Sequence, residues 1–271
     1  MRIGVLHPGK MGSTVAASFA ETGHEVSWAS EGRSEATAGR ASGLVDGGSL
    51  ADVCAASELI VSVCPPHAAL DVARAVASTG FDGTFIDANA VAPATTLQVR
   101  EVVTGPMVDG SLIGPPAHQA GTTHLYLSGD GANDLAEALN GGLLEVRAID
   151  GPVGAASALK MAYGGWSKAS AGLLLALIAY AEASGVRDDL FAEWDESIPG
   201  TTDRAERTAR GSGPKAWRFA GEMREVAAAL DAEGLPDGFH LGAAEVFERL
   251  AGFKDAEPGP ELEAALRALL D

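Results

Sequence analysis

Lysine is scarce in this chain, with five in 271 residues. One of the five, Lys160, stands inside an apolar helical run, Gly154-Ala155-Ala156-Ser157-Ala158-Leu159-Lys160-Met161-Ala162-Tyr163-Gly164. An ammonium is costly to desolvate, so a lysine set among alanines, Leu159 and Met161 needs a partner or a task. At helical spacing Tyr163, Gly164 and Ser167 share its face, which puts a proton donor, two hydroxyls and a gap on one surface. Such a face suits general acid–base work, with Lys160, Tyr163 and Ser167 as candidate catalytic groups. A lysine at a helix edge can instead snorkel its head to water without further role. The scarcity of lysine and the apolar neighbours favour the functional reading.

The second group with chemical promise opens the chain. The apolar run Ile3-Gly4-Val5-Leu6 breaks into His7-Pro8-Gly9-Lys10-Met11-Gly12, and a helical pattern follows to Glu21. A strand that ends in a glycine turn and opens into a helix aims backbone N–H groups and the positive helix end at one point, where a pyrophosphate can sit. Gly9 lets the backbone approach phosphates and Gly12 lets the helix pack on the strand, with Lys10 and Met11 between them. The usual G-x-G-x-x-G has its first glycine where His7 stands, so His7-Pro8 must bend the chain by other means.

Where an NAD-binding chain sets an acid on the ribose 2′-hydroxyl, after the second strand, this chain has Trp28-Ala29-Ser30-Glu31-Gly32-Arg33-Ser34. Ser30, Arg33 and Ser34 can hold a 2′-phosphate, which favours NADP(H) over NAD(H); Glu31 is the counterargument. The loop Cys64-Pro65-Pro66-His67 is expected along the same cofactor, although its prolines also serve to end a strand. Asn89 is either a nicotinamide neighbour or a turn or helix cap ahead of Pro93.

These residues need elements to position them. Gly23 stops the first helix and Glu25-Val26-Ser27-Trp28 restarts as a strand, completing a βαβ unit. Further strands are expected at 59–63 and 84–87, each followed by a Pro-bearing loop and an Ala-rich helix, with 107–112, 124–128 and 143–147 extending the sheet. From Pro152 to about Gly185 the pattern is one long helix, and everything beyond reads as helix. The fold class is therefore α/β, with a Rossmann-type doubly wound sheet over 1–150 and an all-α domain over 151–271. The run Ala169 to Ala181 is too short to cross a bilayer and reads as a buried helix. Because it is almost wholly apolar it needs burial all round, and a homodimer through the helical domain is expected to provide it.

Composition excludes several classes. A net charge of −18 argues against a nucleic-acid surface. Cys54 and Cys64 lack C-x-x-C spacing, the histidines are scattered, and no G-x-S-x-G elbow occurs, so disulfide, metal and α/β-hydrolase readings fall away. The N-terminus enters a strand at once without a leader pattern, so a cytoplasmic protein with a small-molecule substrate is expected.

Taken in order, the turn Gly9-Lys10-Met11-Gly12, the strand end Asp87-Ala88-Asn89 with Pro93, the segment Asp109-Gly110-Ser111-Leu112-Ile113-Gly114 and the Lys160 helix resemble the β-hydroxyacid dehydrogenases. That superfamily includes 6-phosphogluconate and 3-hydroxyisobutyrate dehydrogenases, and imine reductases share its fold. The chain looks closest to the branch of NAD-binding phosphogluconate dehydrogenase-like proteins with their own C-terminal domain. The resemblance implies hydride transfer between a nicotinamide and a substrate held between domains, with Lys160 protonating a carbonyl oxygen and Ser111, Ile113 and Gly114 in the substrate segment. Two departures narrow the substrate. Tyr163 and Gly164 stand where hydroxyacid members carry two asparagines, and Ile113-Gly114-Pro115 replaces a carboxylate-holding Ser-Gly-Gly. Pro115 has no N–H and Ile113 no hydroxyl, which raises the imine reductase alternative. A second family lysine falls near Glu222. Trp166 and Trp217 are candidate pocket walls, equally suited to core or interface. A nucleotide-binding redox sensor or scaffold without turnover is the reading from another class.

Overall fold

Strand and helix alternate through the first half of the chain. The computed structural model describes Met1–Asp271 and gives β1 (Arg2–Leu6), α1 (Gly12–Glu21), β2 (Glu25–Trp28), α2 (Glu35–Arg40), β3 (Val45–Asp46), α3 (Leu50–Ala56), β4 (Leu59–Ser62), α4 (Ala69–Ser78), β5 (Thr84–Asp87), α5 (Pro93–Val102), β6 (Met107–Ile113), β7 (Thr123–Ser128), α6 (Ala132–Leu139) and β8 (Leu144–Ala148). The eight strands form one sheet in the order β3-β2-β1-β4-β5-β6-β7-β8. All neighbours are parallel except β6 and β7. The strand order reverses at β1/β4, and in open α/β sheets ligands bind outside the carboxyl ends of the strands at that switch point.

Both faces of the sheet are covered, so its central strands read as unbroken apolar runs. Ile3, Val5, Val61, Leu125 and Leu127 pack against Val15 and Phe19 of α1 and Ala136 and Leu139 of α6. On the opposite face Leu6, Ile60 and Phe85 pack against Val53 of α3, Ala73 and Val76 of α4, and Val99 of α5. This is the doubly wound arrangement expected from the alternation. The segment that patterning left unassigned, between Ser34 and Ala56, supplies α2, the two-residue β3 and α3.

The rest of the chain is helical: α7 (Ala155–Ala183), α8 (Arg187–Ser197), α9 (Thr201–Ser212), α10 (Ala216–Ala232), α11 (Gly238–Arg249) and α12 (Leu262–Leu270). By internal contacts the chain divides into two units, Met1–Met161 and Ala162–Asp271, with the division inside α7. In the second unit Gly165 faces Val226 and His240, and Gly172 faces Ala243 and Phe247, so absent side chains bring α7 close to α10 and α11. No helix is long and apolar enough to cross a membrane.

Candidate active site

The carboxyl end of β1 is shaped by His7. Its backbone takes φ +64°, the left-handed conformation that glycine adopts freely. The residue in the place of the first fingerprint glycine therefore turns the chain as that glycine would, and no separate bending device is needed. The His7 carbonyl accepts the Gly9 N–H at 2.7 Å. A Cβ on Gly12 would stand 2.6 Å from that same carbonyl oxygen, so glycine is required where α1 leaves the sheet. A Cβ on Gly9 would meet only the His7 oxygen, at 3.9 Å, so the bare backbone there faces open space. A turn with one glycine packed against the strand and one facing outward, at the start of a helix, fits a dinucleotide pyrophosphate. Met11 packs on the core, and Lys10 lines an open cavity of about 510 Å³ beside Ser13, Arg40 and His118.

The loop after β2 is more committed than its sequence suggests. Ser30 donates its hydroxyl hydrogen bond to Asp46, holding that carboxyl below the usual range. Ser34 caps α2 by accepting the Thr37 N–H at 3.3 Å. Arg33 is exposed, and its charge is felt by both His7 and Cys64, at the ends of β1 and β4. Glu31 is exposed.

At the ends of β4 and β5 the polar groups form a hydrogen-bonded net, in which one buried oxygen of Asp87, Oδ2, has no partner. Asn89 is buried and caps no helix; its Oδ1 accepts the Cys64 N–H at 2.5 Å, and its Nδ2 donates to Ser62 Oγ at 3.1 Å and to Asp87 Oδ1. It is thus a strut beneath the Cys64-Pro65-Pro66 loop, where Pro65 and Pro66 start a short 3₁₀ turn into α4. Burial pushes the Cys64 thiol up to about 11, so it stays protonated at neutral pH.

β6 carries the centre of the net. Asp87 and Asp109 lie side by side in the β5–β6 register, both buried. Asp109 accepts the Gly154 and Ser157 N–H groups at 2.9 Å each, the Ser157 hydroxyl at 2.7 Å and the Ser128 hydroxyl at 3.1 Å. Ser128 Oγ in turn accepts the Ala156 N–H at 2.9 Å. The otherwise orphaned amides at the start of α7 are therefore met by a carboxylate at the positive end of the helix. Three residues further along, Lys160 Nζ donates to the Leu112 carbonyl at the end of β6. The lysine does not snorkel away; it is moored to the strand segment expected to face substrate. Next to Leu112, the Ser111 hydroxyl is buried with no protein partner.

Burial pushes Asp87 up to about 7, with the Asp109 charge as the second cause. Burial also raises Asp109, against its four hydrogen bonds. A carboxyl whose folded pKa is raised stabilises the fold while protonated in both states, below about 4. That stabilisation is lost as pH climbs to about 7 and is flat above. Asp87→Asn, neutral at every pH, is expected to flatten this slope and to exceed the parent in stability at pH 8. Urea midpoints at pH 5, 6, 7 and 8 test this, and parallel profiles for the two proteins would refute it.

The other sequence candidates divide. Gly114 has φ +126° and lies so close to the Thr122 carbonyl that any Cβ would collide, so it serves the β6–β7 connection. Ile113 is buried. Tyr163 is half-exposed, Trp166 lies in solvent, and Ser167 bonds back to the Gly164 carbonyl at 3.4 Å. Trp217 carries Lys254 over its ring at 4.4 Å. Glu222 pairs with Lys168 at 2.9 Å, both side chains largely buried, with the ammonium over Phe219. Cys54 and Cys64 are free thiols.

Comparison with known proteins agrees with this geometry. Residues 2–90 match a family model described as NADP oxidoreductase, coenzyme F420-dependent, and residues 181–250 match a domain of unknown function, DUF1932. Over 200 residues, 73% of this chain and 77% of the relative, the chain is 30% identical to an uncharacterized 28.5 kDa protein in the 7S RNA 5′ region of Methanothermus fervidus. The chain belongs to that protein's family. Its fold is that of the 3-hydroxyacid dehydrogenases. The conserved protein MTH1747, whose structure is described as similar to those enzymes, superposes with a TM-score of 0.69 at 24% identity, covering 93% of this chain and 97% of its own. 3-Hydroxyisobutyrate dehydrogenase of Mycobacterium tuberculosis gives 0.69 at 16% identity, covering 100% and 99%. An imine reductase of Streptomyces aurantiacus gives 0.53 at 17% identity over the whole of both chains. By its family match and fold, this family member carries the nucleotide unit of an NAD(P)-dependent oxidoreductase.

Three features escaped the sequence reading. His7 in left-handed backbone had a signal, since it replaces a glycine. The Asp87–Asp109 pair had one too: each aspartate follows two apolar residues on a buried strand, where a charge must have partners. The Lys168–Glu222 pair had none, because the two residues are far apart in sequence.

Proposed function

We propose that this protein is an NADP-preferring oxidoreductase that transfers a hydride between nicotinamide and a small carbonyl or alcohol substrate, with Lys160 as general acid and base. The observation that carries this reading is the mooring of Lys160 to the Leu112 carbonyl, on the same strand-end edge as the Gly9–Gly12 turn. The nicotinamide, when bound, supplies or accepts the hydride. Lys160 holds the proton that a carbonyl oxygen needs on reduction and takes it back on oxidation. Gly9, Lys10, Met11 and Gly12 form the pyrophosphate turn, and the Cys64-Pro65-Pro66 loop, set by Asn89, borders the cofactor. Because Ser30 and Ser34 are engaged within the chain, the preference for a 2′-phosphate rests on Arg33.

Buried Ile113 and the missing N–H of Pro115, at the positions that hold a carboxylate in hydroxyacid enzymes, favour an uncharged substrate and keep imine reduction as the second reading. A screen of small ketones, aldehydes, imines and hydroxyacids with NADPH and NADH in parallel tests both. Turnover with NADPH on neutral carbonyls is expected; equal or faster rates with NADH overturn the cofactor preference. Dinucleotide binding without turnover on any substrate would favour a redox sensor.

A homodimer through the helical unit belongs to the same reading. Within one chain α7 is not buried all round: Trp166, Leu173, Leu177 and Tyr180 line an exposed apolar stripe, 76%, 54%, 46% and 69% accessible. Spacings of seven, four and three residues make that stripe continuous, and a second copy of the chain would cover it. Light scattering at micromolar concentration is expected to give a dimer, and Leu177→Glu a monomer. A monomeric parent protein would count against it.

A further inference from the structure

We infer that the His7 side chain is itself a ligand of the dinucleotide, donating a hydrogen bond to its pyrophosphate from the position where the fingerprint has no side chain at all. The inference rests on the dinucleotide reading of the turn and goes beyond it. Three observations converge. His7 holds φ +64°, a conformation that strains a residue with a Cβ and that glycine would adopt freely. Its Nδ1 is buried and finds no hydrogen-bond partner in the protein, although a buried polar atom is ordinarily satisfied. Finally, the exposed Arg33 guanidinium is, after burial, the second influence that disfavours a charge on the ring. Burial and that cation push the ring down to about 4, which leaves a neutral imidazole with one N–H at physiological pH. A phosphate oxygen is an acceptor that such an N–H can meet, and the backbone of Gly9, two residues on, faces open space.

The test uses the full-length protein and equilibrium binding of NADPH and NADH, read by nucleotide fluorescence, with thermal unfolding of the unliganded protein alongside. His7→Gly keeps the left-handed backbone, so its Tm is expected to match or exceed the parent's. Its affinity is expected to fall about tenfold or more, equally for NADPH and NADH, because the contact is to the pyrophosphate that both share. His7→Asn, which tolerates the same backbone and restores an N–H donor, is expected to recover most of the loss. Unchanged affinity in His7→Gly, or His7→Asn binding no better than His7→Gly, overturns this inference while leaving the dinucleotide reading intact. A parent protein that binds neither nucleotide overturns both.

Discussion

Lys160→Met is expected to lower kcat by about 10²- to 10⁴-fold, the range that a positioned general acid contributes, while leaving the NADPH dissociation constant near that of the parent. The separation follows from the sheet. Lys160 is moored at the end of β6, and the pyrophosphate turn leaves β1; in the strand order β1-β4-β5-β6 the two are three strands apart. Methionine is similar in length and apolar, so it removes the proton without opening a hole. The Leu112 carbonyl loses its donor, a loss of about 1 kcal/mol in stability. Lys160→Arg sharpens the result. It keeps the cation, but a guanidinium does not release a proton in any accessible pH range, so it should be nearly as inactive as methionine. An arginine variant close to parent activity would mean that the charge orients substrate and that the proton comes from elsewhere. Unchanged turnover in Lys160→Met would remove the lysine from the chemistry altogether and favour the imine reading or another donor on α7, such as half-exposed Tyr163.

That the lysine could be singled out from sequence has a physical reason. A cation flanked by Leu159 and Met161 is anomalous against its own neighbours, and hydrophobic periodicity makes such an anomaly visible. The central parallel strands were legible for the same reason: strands covered on both faces are unbroken apolar runs, as in Leu59-Ile60-Val61 of β4, and β2 and β5 also fall on the expected residues. β3 was not legible, since two exposed residues, Val45 and Asp46, carry no burial pattern. Roles that depend on contacts between distant segments were also out of reach. Asn89 has the composition of a turn or cap residue, and only the placement of Cys64 and Ser62 beside it shows a strut. Ser30 and Ser34 are plausible phosphate ligands by type, yet Asp46 and the amide of Thr37 already occupy them. Spacing along the chain tells which groups are available, and only the fold tells which are already spent.

Asp109→Ala is the substitution expected to cost most in stability, about 3–5 kcal/mol, because it strands several buried donors at once. The N–H groups of Gly154 and Ser157 and the hydroxyls of Ser157 and Ser128 all converge on this one carboxylate. Water cannot easily replace it, since Asp109, Ser128 and Ser157 are buried. Asp109→Asn should be nearly as damaging, because its amide nitrogen would turn two hydrogens toward groups that are themselves donors. Ser157→Ala removes one donor and one hydroxyl contact with Thr96, and should cost only about 1 kcal/mol. Urea unfolding gives the ranking, and amide exchange at Gly154 and Ser157 locates the damage. Local opening at the start of α7 in Asp109→Asn should also lower kcat, since the helix turn freed is the one that carries Lys160 to Leu112. If Asp109→Asn kept parent stability and parent exchange rates, the carboxylate would not be the anchor of α7. The Lys160 position would then have to be fixed by the helix interior alone.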